Sequence, residues 1–164
     1  MNQSELIRAK YKPSGRTKIL LVGESPPANG SFFYEESAMT TYTRTAFETA
    51  LERNFLSDHE FFVFMRDNGY YLEDLSLIPV DKLPHREREA ELRKQSTFFA
   101  ERVRLLNPEV LIIVLKKIEK IARESIQIAG INPEIYALPF PGWGFQKRYK
   151  DELASIINKY SKEK

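Results

Sequence analysis

Three observations predict a three-layer α/β/α sandwich around a central, mainly parallel four-stranded sheet. Short aliphatic or aromatic runs of β type alternate along the chain with longer runs of helical type. The run Val110-Leu-Ile-Ile-Val-Leu115 is apolar without alternation, as a strand buried on both faces requires. Strands separated by helices imply right-handed crossovers, which align the strands in parallel and cover both faces.

The first strand is expected at 18–22, where Lys18-Ile-Leu-Leu-Val22 stops abruptly at Gly23, Glu24 and Ser25. A pair of helices follows at 43–54 and 58–68. Ser57-Asp58 offers the second of them an N-cap and an acidic first turn, and Asn68-Gly69 a stop. A second strand is expected at 70–75. Residues 86–106 form a long charged helix with Phe98 and Phe99 on an apolar stripe; acids and bases alternate around it, so it reads as a solvated outer face and is assigned no site. Asn107-Pro108 turns the chain into a strand at 110–115, and a helix at 116–129 stops at Gly130. After the Asn132-Pro133 turn come a strand at 135–138 and a closing helix at 145–160. No repeat or low-complexity segment intervenes, and residues 1–164 read as a single domain.

The 164 residues contain no cysteine, which excludes disulfides, thiolate metal sites, an Fe-S cluster and a cysteine nucleophile. Of the two histidines, His59 falls in the first turn of a charged helix and His85 follows Pro84 in a polar loop. No helical pair of ligands results, so neither a metal nor any other cofactor is expected. The longest aliphatic run is too short to span a bilayer and no apolar leader follows Met1, so the expectation is a cytoplasmic monomer without a membrane partner. A formal charge of +2 permits a polyanionic partner without requiring one.

A parallel sheet gathers the loops after its strands at one edge, where ligands bind. Three of these loops carry chemistry. Residues 23–34, Gly-Glu-Ser-Pro-Pro-Ala-Asn-Gly-Ser-Phe-Phe-Tyr, place a carboxylate and a hydroxyl before a proline-stiffened loop and an aromatic trio. Residues 70–76 place Glu73, Asp74 and Ser76 after Tyr70-Tyr71, and residues 138–148 run Leu-Pro-Phe-Pro-Gly-Trp-Gly-Phe-Gln-Lys-Arg. Gly23-Glu24-Ser25-Pro26-Pro27 fails as a nucleophile elbow, because Pro27 replaces the closing glycine and no helix follows directly. It fails as a phosphate loop too, because Ser31-Phe32 follows Gly30 where Lys-Ser/Thr is required.

Taken together, Gly23-Glu24-Ser25-Pro26, the segment Tyr70-Tyr71-Leu72-Glu73-Asp74, the run Asn107-Pro108-Glu109-Val110 and Leu138-Pro139-Phe140-Pro141 resemble the uracil-DNA glycosylase superfamily, in that order along the chain. Glu24 is similar to the Gly-Glu-Ala-Pro-Gly form of its thermostable branch. Leu138 stands where the family has a histidine, Phe140 replaces a serine, and the branch's cluster cysteines are missing. The resemblance implies a sandwich of the kind described and a hydrolase removing uracil or a related modified or deaminated base from DNA by N-glycosidic cleavage, a step of base-excision repair. The alternative is a catalytically inactive module of the same fold that binds nucleic acid or nucleotide. An unrelated hydrolase using Ser25 is a third reading.

Glycosidic cleavage builds positive charge on the sugar and negative charge on the departing base. Glu24 is the candidate to stabilise the cation or position water, and Ser25 to hold that water; the plainer readings are a solvated loop carboxylate and a Ser-Pro turn. Phe32 or Phe33 would correspond to the residue stacking on the base, or simply pack the loop. Asp74 takes the place of the asparagine that reads uracil. An ionised aspartate only accepts, which suits a base with two donors, as guanine has; a protonated one would not be so limited, and turn capping is the plainer role. Trp143 with Lys147 and Arg148 fits a wedge and phosphate contacts on DNA, or a loop anchor. Thr40-Thr41-Tyr42-Thr43-Arg44, opening a helix, offers Arg44 and N–H groups to a phosphate, or only a cap.

Overall fold

A computed structural model describes residues 1–162. Four strands, β1 (Ile19–Gly23), β2 (Tyr70–Asp74), β3 (Val110–Ile113) and β4 (Glu134–Ala137), form one parallel sheet in the order β2-β1-β3-β4. The helices are α1 (Gln3–Lys10), α2 (Ala38–Leu51), α3 (Asp58–Asp67), α4 (His85–Leu106), α5 (Glu119–Ala129) and α6 (Gln146–Ser161). Helix α2 packs on α6 and α4 on α5, one pair on each face of the sheet. The result is the three-layer α/β/α arrangement that the alternating runs predict.

The apolar runs become strands because every residue of β1 and β3 is buried. Burying a Leu or Ile side chain contributes about 1.5–3 kcal/mol, and β1 supplies four aliphatic side chains with essentially no exposure. Strand β4 lies at one edge and is only partly covered. At the other edge, β2 is buried because side chains close it. The Tyr34 hydroxyl accepts the Leu72 N–H at 2.8 Å and donates to the Leu72 carbonyl at 3.4 Å, standing in for a neighbouring strand. The Asp74 N–H is taken by Glu73 Oε1 at 3.0 Å, and Arg102 donates to the Asp74 carbonyl at 2.6 Å.

Several expected boundaries shift for identifiable reasons. The helix expected at 43–54 begins at Ala38, because Ser37 and Thr40 exchange hydrogen bonds in a capping box; it ends before Glu52, which adopts a left-handed φ of 52°. His85 is the first residue of α4 rather than part of a loop. The apolar run 110–115 leaves the sheet after Ile113 and passes through a 3-10 turn at Lys116–Ile118 before α5. Phe98 and Phe99 do not share a stripe: Phe99 is buried and Phe98 is exposed, since adjacent helical positions diverge. Helix α1, which no apolar period announces, is fixed by an Asn2-Glu5 capping box.

Candidate functional site

The loops after β1, β2 and β3 enclose a cleft of about 840 Å³ at the carboxyl edge of the sheet. Its walls include Gly23, Glu24 and Ser25 from the first loop, Asp74 from the end of β2, and Phe32 and Phe33 from the loop before α2. Arg88 of α4 and Lys117 close one side, and Trp143 and Phe140 stand at the rim. Five of the residues singled out in the sequence for chemistry or base contact therefore meet in one cavity.

Glu24 is held by cations. Arg88 Nε donates to Glu24 Oε2 at 2.9 Å, Arg88 Nη2 bonds Oε1, and Lys117 Nζ lies 3.7 Å from Oε2. The bidentate fork fixes the orientation of the carboxylate, and the bonds to Glu24 push the Arg88 pKa above its usual value. A smaller hollow of about 180 Å³ adjoins the cleft across this pair and is bordered also by His85 and Lys120. Arg88 and Lys117 had no signal in the sequence: α4 alternates charges, and periodicity does not tell which cation turns toward the sheet edge.

Ser25 Oγ accepts the Val80 N–H at 3.2 Å, and Asp81 accepts the Ala28 N–H at 3.0 Å, so the Ser-Pro-Pro loop is tied to the segment after β2. Phe32 and Phe33 reach the cleft from within an aromatic cluster. Phe33 packs on Tyr34 and Phe62 with ring centroids 5.0 and 5.6 Å apart, and Tyr34 stacks on Tyr11 at 5.3 Å. Each such pair adds about 0.5–1.5 kcal/mol beyond area burial, so this wall is held by more than hydrophobic contact alone.

Beneath the cleft lies a buried charge cluster. Arg8, reaching across from α1, donates to Asp74 Oδ2 at 2.8 Å and to the Leu72 carbonyl at 3.2 Å, and lies 3.3 Å from Glu73 Oε1. Its guanidinium carbon sits 4.9 Å from the Phe32 ring centroid. Arg102 approaches Glu73 Oε2 at 3.6 Å. Burial opposes the Arg8 charge, but Asp74 and Glu73 outweigh it and raise the pKa above its usual value. For Glu73, burial prevails over both arginines and pushes its pKa up; Arg102 is pulled down, also by burial. A Cβ on Gly23 would come within 2.5 Å of Asp74 Oδ1, so any side chain there would force the Asp74 carboxylate to move. Arg8 belongs to the site and lay hidden in the sequence, since its partners are more than sixty positions away.

The remaining candidates lie at the rim or elsewhere. Trp143 is 97% exposed with a left-handed φ of 54°. Lys147 and Arg148, in the first turn of α6, pair with Asp151 and Glu152 one turn on. Arg44 is absent from the cleft wall: it bonds Asp58 Oδ1 at 3.0 Å and the Phe55 carbonyl and approaches Glu48 at 3.5 Å. The neighbouring hydroxyls are used internally, Thr40 on the Phe33 carbonyl and Thr43 on the Tyr149 hydroxyl at 2.8 Å. Leu138 packs in the core at 3% exposure and is absent from the cleft wall. Among the described residues, no group of three His, Asp or Glu could hold a metal ion, and no helix is long and apolar enough to cross a membrane. No protein-family model matches the chain, and no curated protein matches it.

Proposed function

We propose that the cleft binds a base of DNA or of a nucleotide, and that the chain hydrolyses its N-glycosidic bond as a monomeric, cytoplasmic repair enzyme of the uracil-DNA glycosylase type. The observation supporting this reading is the convergence of the Glu24 carboxylate, the Asp74 carboxylate and two phenylalanine rings on one cavity large enough for a nucleotide. Base and sugar chemistry need these parts. The rings offer a face to an extruded base, Asp74 an edge reader, and Glu24 a fixed negative charge for the oxocarbenium-like sugar. Arg88 and Lys117, beside Glu24, supply positive charge for a phosphate. Trp143 at the rim fits a wedge, and Lys147 and Arg148 in the first turn of α6 fit phosphate contacts.

A second reading, a binding module without chemistry, is favoured by two observations: both Glu24 oxygens are engaged by Arg88, and Leu138 places an aliphatic core residue where the family has its histidine. Incubating the protein and a Glu24→Gln variant with single- and double-stranded oligonucleotides carrying uracil, hypoxanthine or xanthine, then assaying abasic sites, separates the two. The glycosylase reading expects strand-specific abasic sites that fall at least about 100-fold in Glu24→Gln. Retardation of DNA by both proteins without any cleavage would leave the binding module.

A further inference from the structure

Resting on the reading of the cleft as a base site, but not on uracil as its base, we propose that Asp74 makes it selective for bases presenting two adjacent donors, the N1–H and 2-amino edge of guanine, with Arg8 positioning the carboxylate. Asp74 is 4% exposed and lines the cleft. Its Oδ2 accepts one bond, from Arg8 at 2.8 Å. Its Oδ1 takes no hydrogen bond from the described residues and lies beside Gly23, at a point where any Cβ would collide with it. One carboxylate oxygen is thus left without a protein donor next to the space a ligand would fill.

The acceptor capacity that remains decides the ligand. A carboxylate offers about four lone-pair sites, and Arg8 uses one. Arg8 donates to Oδ2 but is not among the residues lining the cleft, so Asp74 presents acceptor capacity there and no Arg8 N–H is placed to receive a base carbonyl. Uracil would set its N3–H against Asp74 favourably but bring a carbonyl oxygen alongside, acceptor against acceptor. Guanine brings a second donor to the same place. Phe32, whose ring carries the Arg8 guanidinium at 4.9 Å, lines the same cleft and puts a stacking surface beside the reader.

Equilibrium titration of the full chain with guanosine, inosine and uridine 5′-monophosphates tests this, because inosine lacks only the 2-amino group. A donor-reading Asp74 predicts guanosine binding about tenfold tighter than either of the others. In Asp74→Asn the preference over inosine falls to within about threefold and uridine binding improves. Oligothymidylate carrying one deoxyguanosine or one deoxyinosine shows whether the base is taken from a strand or as a free nucleotide, and selectivity in either arm supports the assignment. Equal binding of guanosine and inosine forms, or tighter binding of uridine, overturns it while leaving the base site standing. Failure of every nucleotide and oligonucleotide to bind overturns the base-site reading and this inference together. The guanosine and inosine comparison on the unaltered chain decides the matter even if the variant does not fold.

Discussion

Glu73 shows how one buried side chain ties the site to the stability of the protein. Burial raises its pKa above the ordinary 4.5 despite Arg8 and Arg102 nearby, so between 4.5 and the raised value the folded chain holds a proton that the unfolded chain releases. Its contribution to stability is complete below 4.5 and is lost as pH rises through that window. Thermal unfolding of the protein and of Glu73→Gln across this range checks the sign. The melting temperature of the parent should fall relative to the variant as pH rises, and a constant difference would contradict it. Glu24 and Asp74 could be picked out in the sequence because an apolar run ending in polar residues marks a strand end facing a crevice. Arg8 and Arg88 could not, because a guanidinium on a polar helix looks the same whether it faces water or a carboxylate.

The second strand is the element on which the cleft depends. As an edge strand it presents unpaired N–H and C=O groups, and Tyr34 and the Arg8, Glu73 and Arg102 side chains take them up. Tyr34→Phe removes both bonds to Leu72 while keeping the ring, and leaves a buried N–H without its partner. It should cost about 1–3 kcal/mol in urea-induced unfolding. A loss under a few tenths of a kcal/mol would mean that the Arg8, Glu73 and Arg102 bonds secure this edge without Tyr34. The strands and the long helices were legible from their apolar runs and breakers, within a few residues. Helix α1 was not, since its eight residues bury Arg8 rather than an apolar stripe. The start of α2 was misplaced because Thr40 substitutes for the acid that usually completes a capping box.

At the scale of the whole molecule, the parallel order β2-β1-β3-β4 does the assembling: it brings Glu24, Asp74, the phenylalanines and the rim tryptophan, far apart in sequence, to one edge of one sheet. That convergence followed from the alternation of strands and helices, so the cleft's location was predictable. Its electrostatics were not, because the ion pairs Glu24 with Arg88 and Asp74 with Arg8 join elements 64 and 66 positions apart. The same assembly leaves Arg44 outside, bound to Asp58 near a separate surface hollow lined by Thr45, Glu48 and Arg53. Where a nucleotide binds is therefore the sharpest question. Backbone amide and indole N–H shifts followed by NMR as guanosine 5′-monophosphate is added answer it directly: a base site in the cleft predicts saturable changes concentrated at residues 23–33 and 72–74 and at the Trp143 indole. Changes confined to the hollow around residues 45–54, or none at saturating ligand, would contradict it.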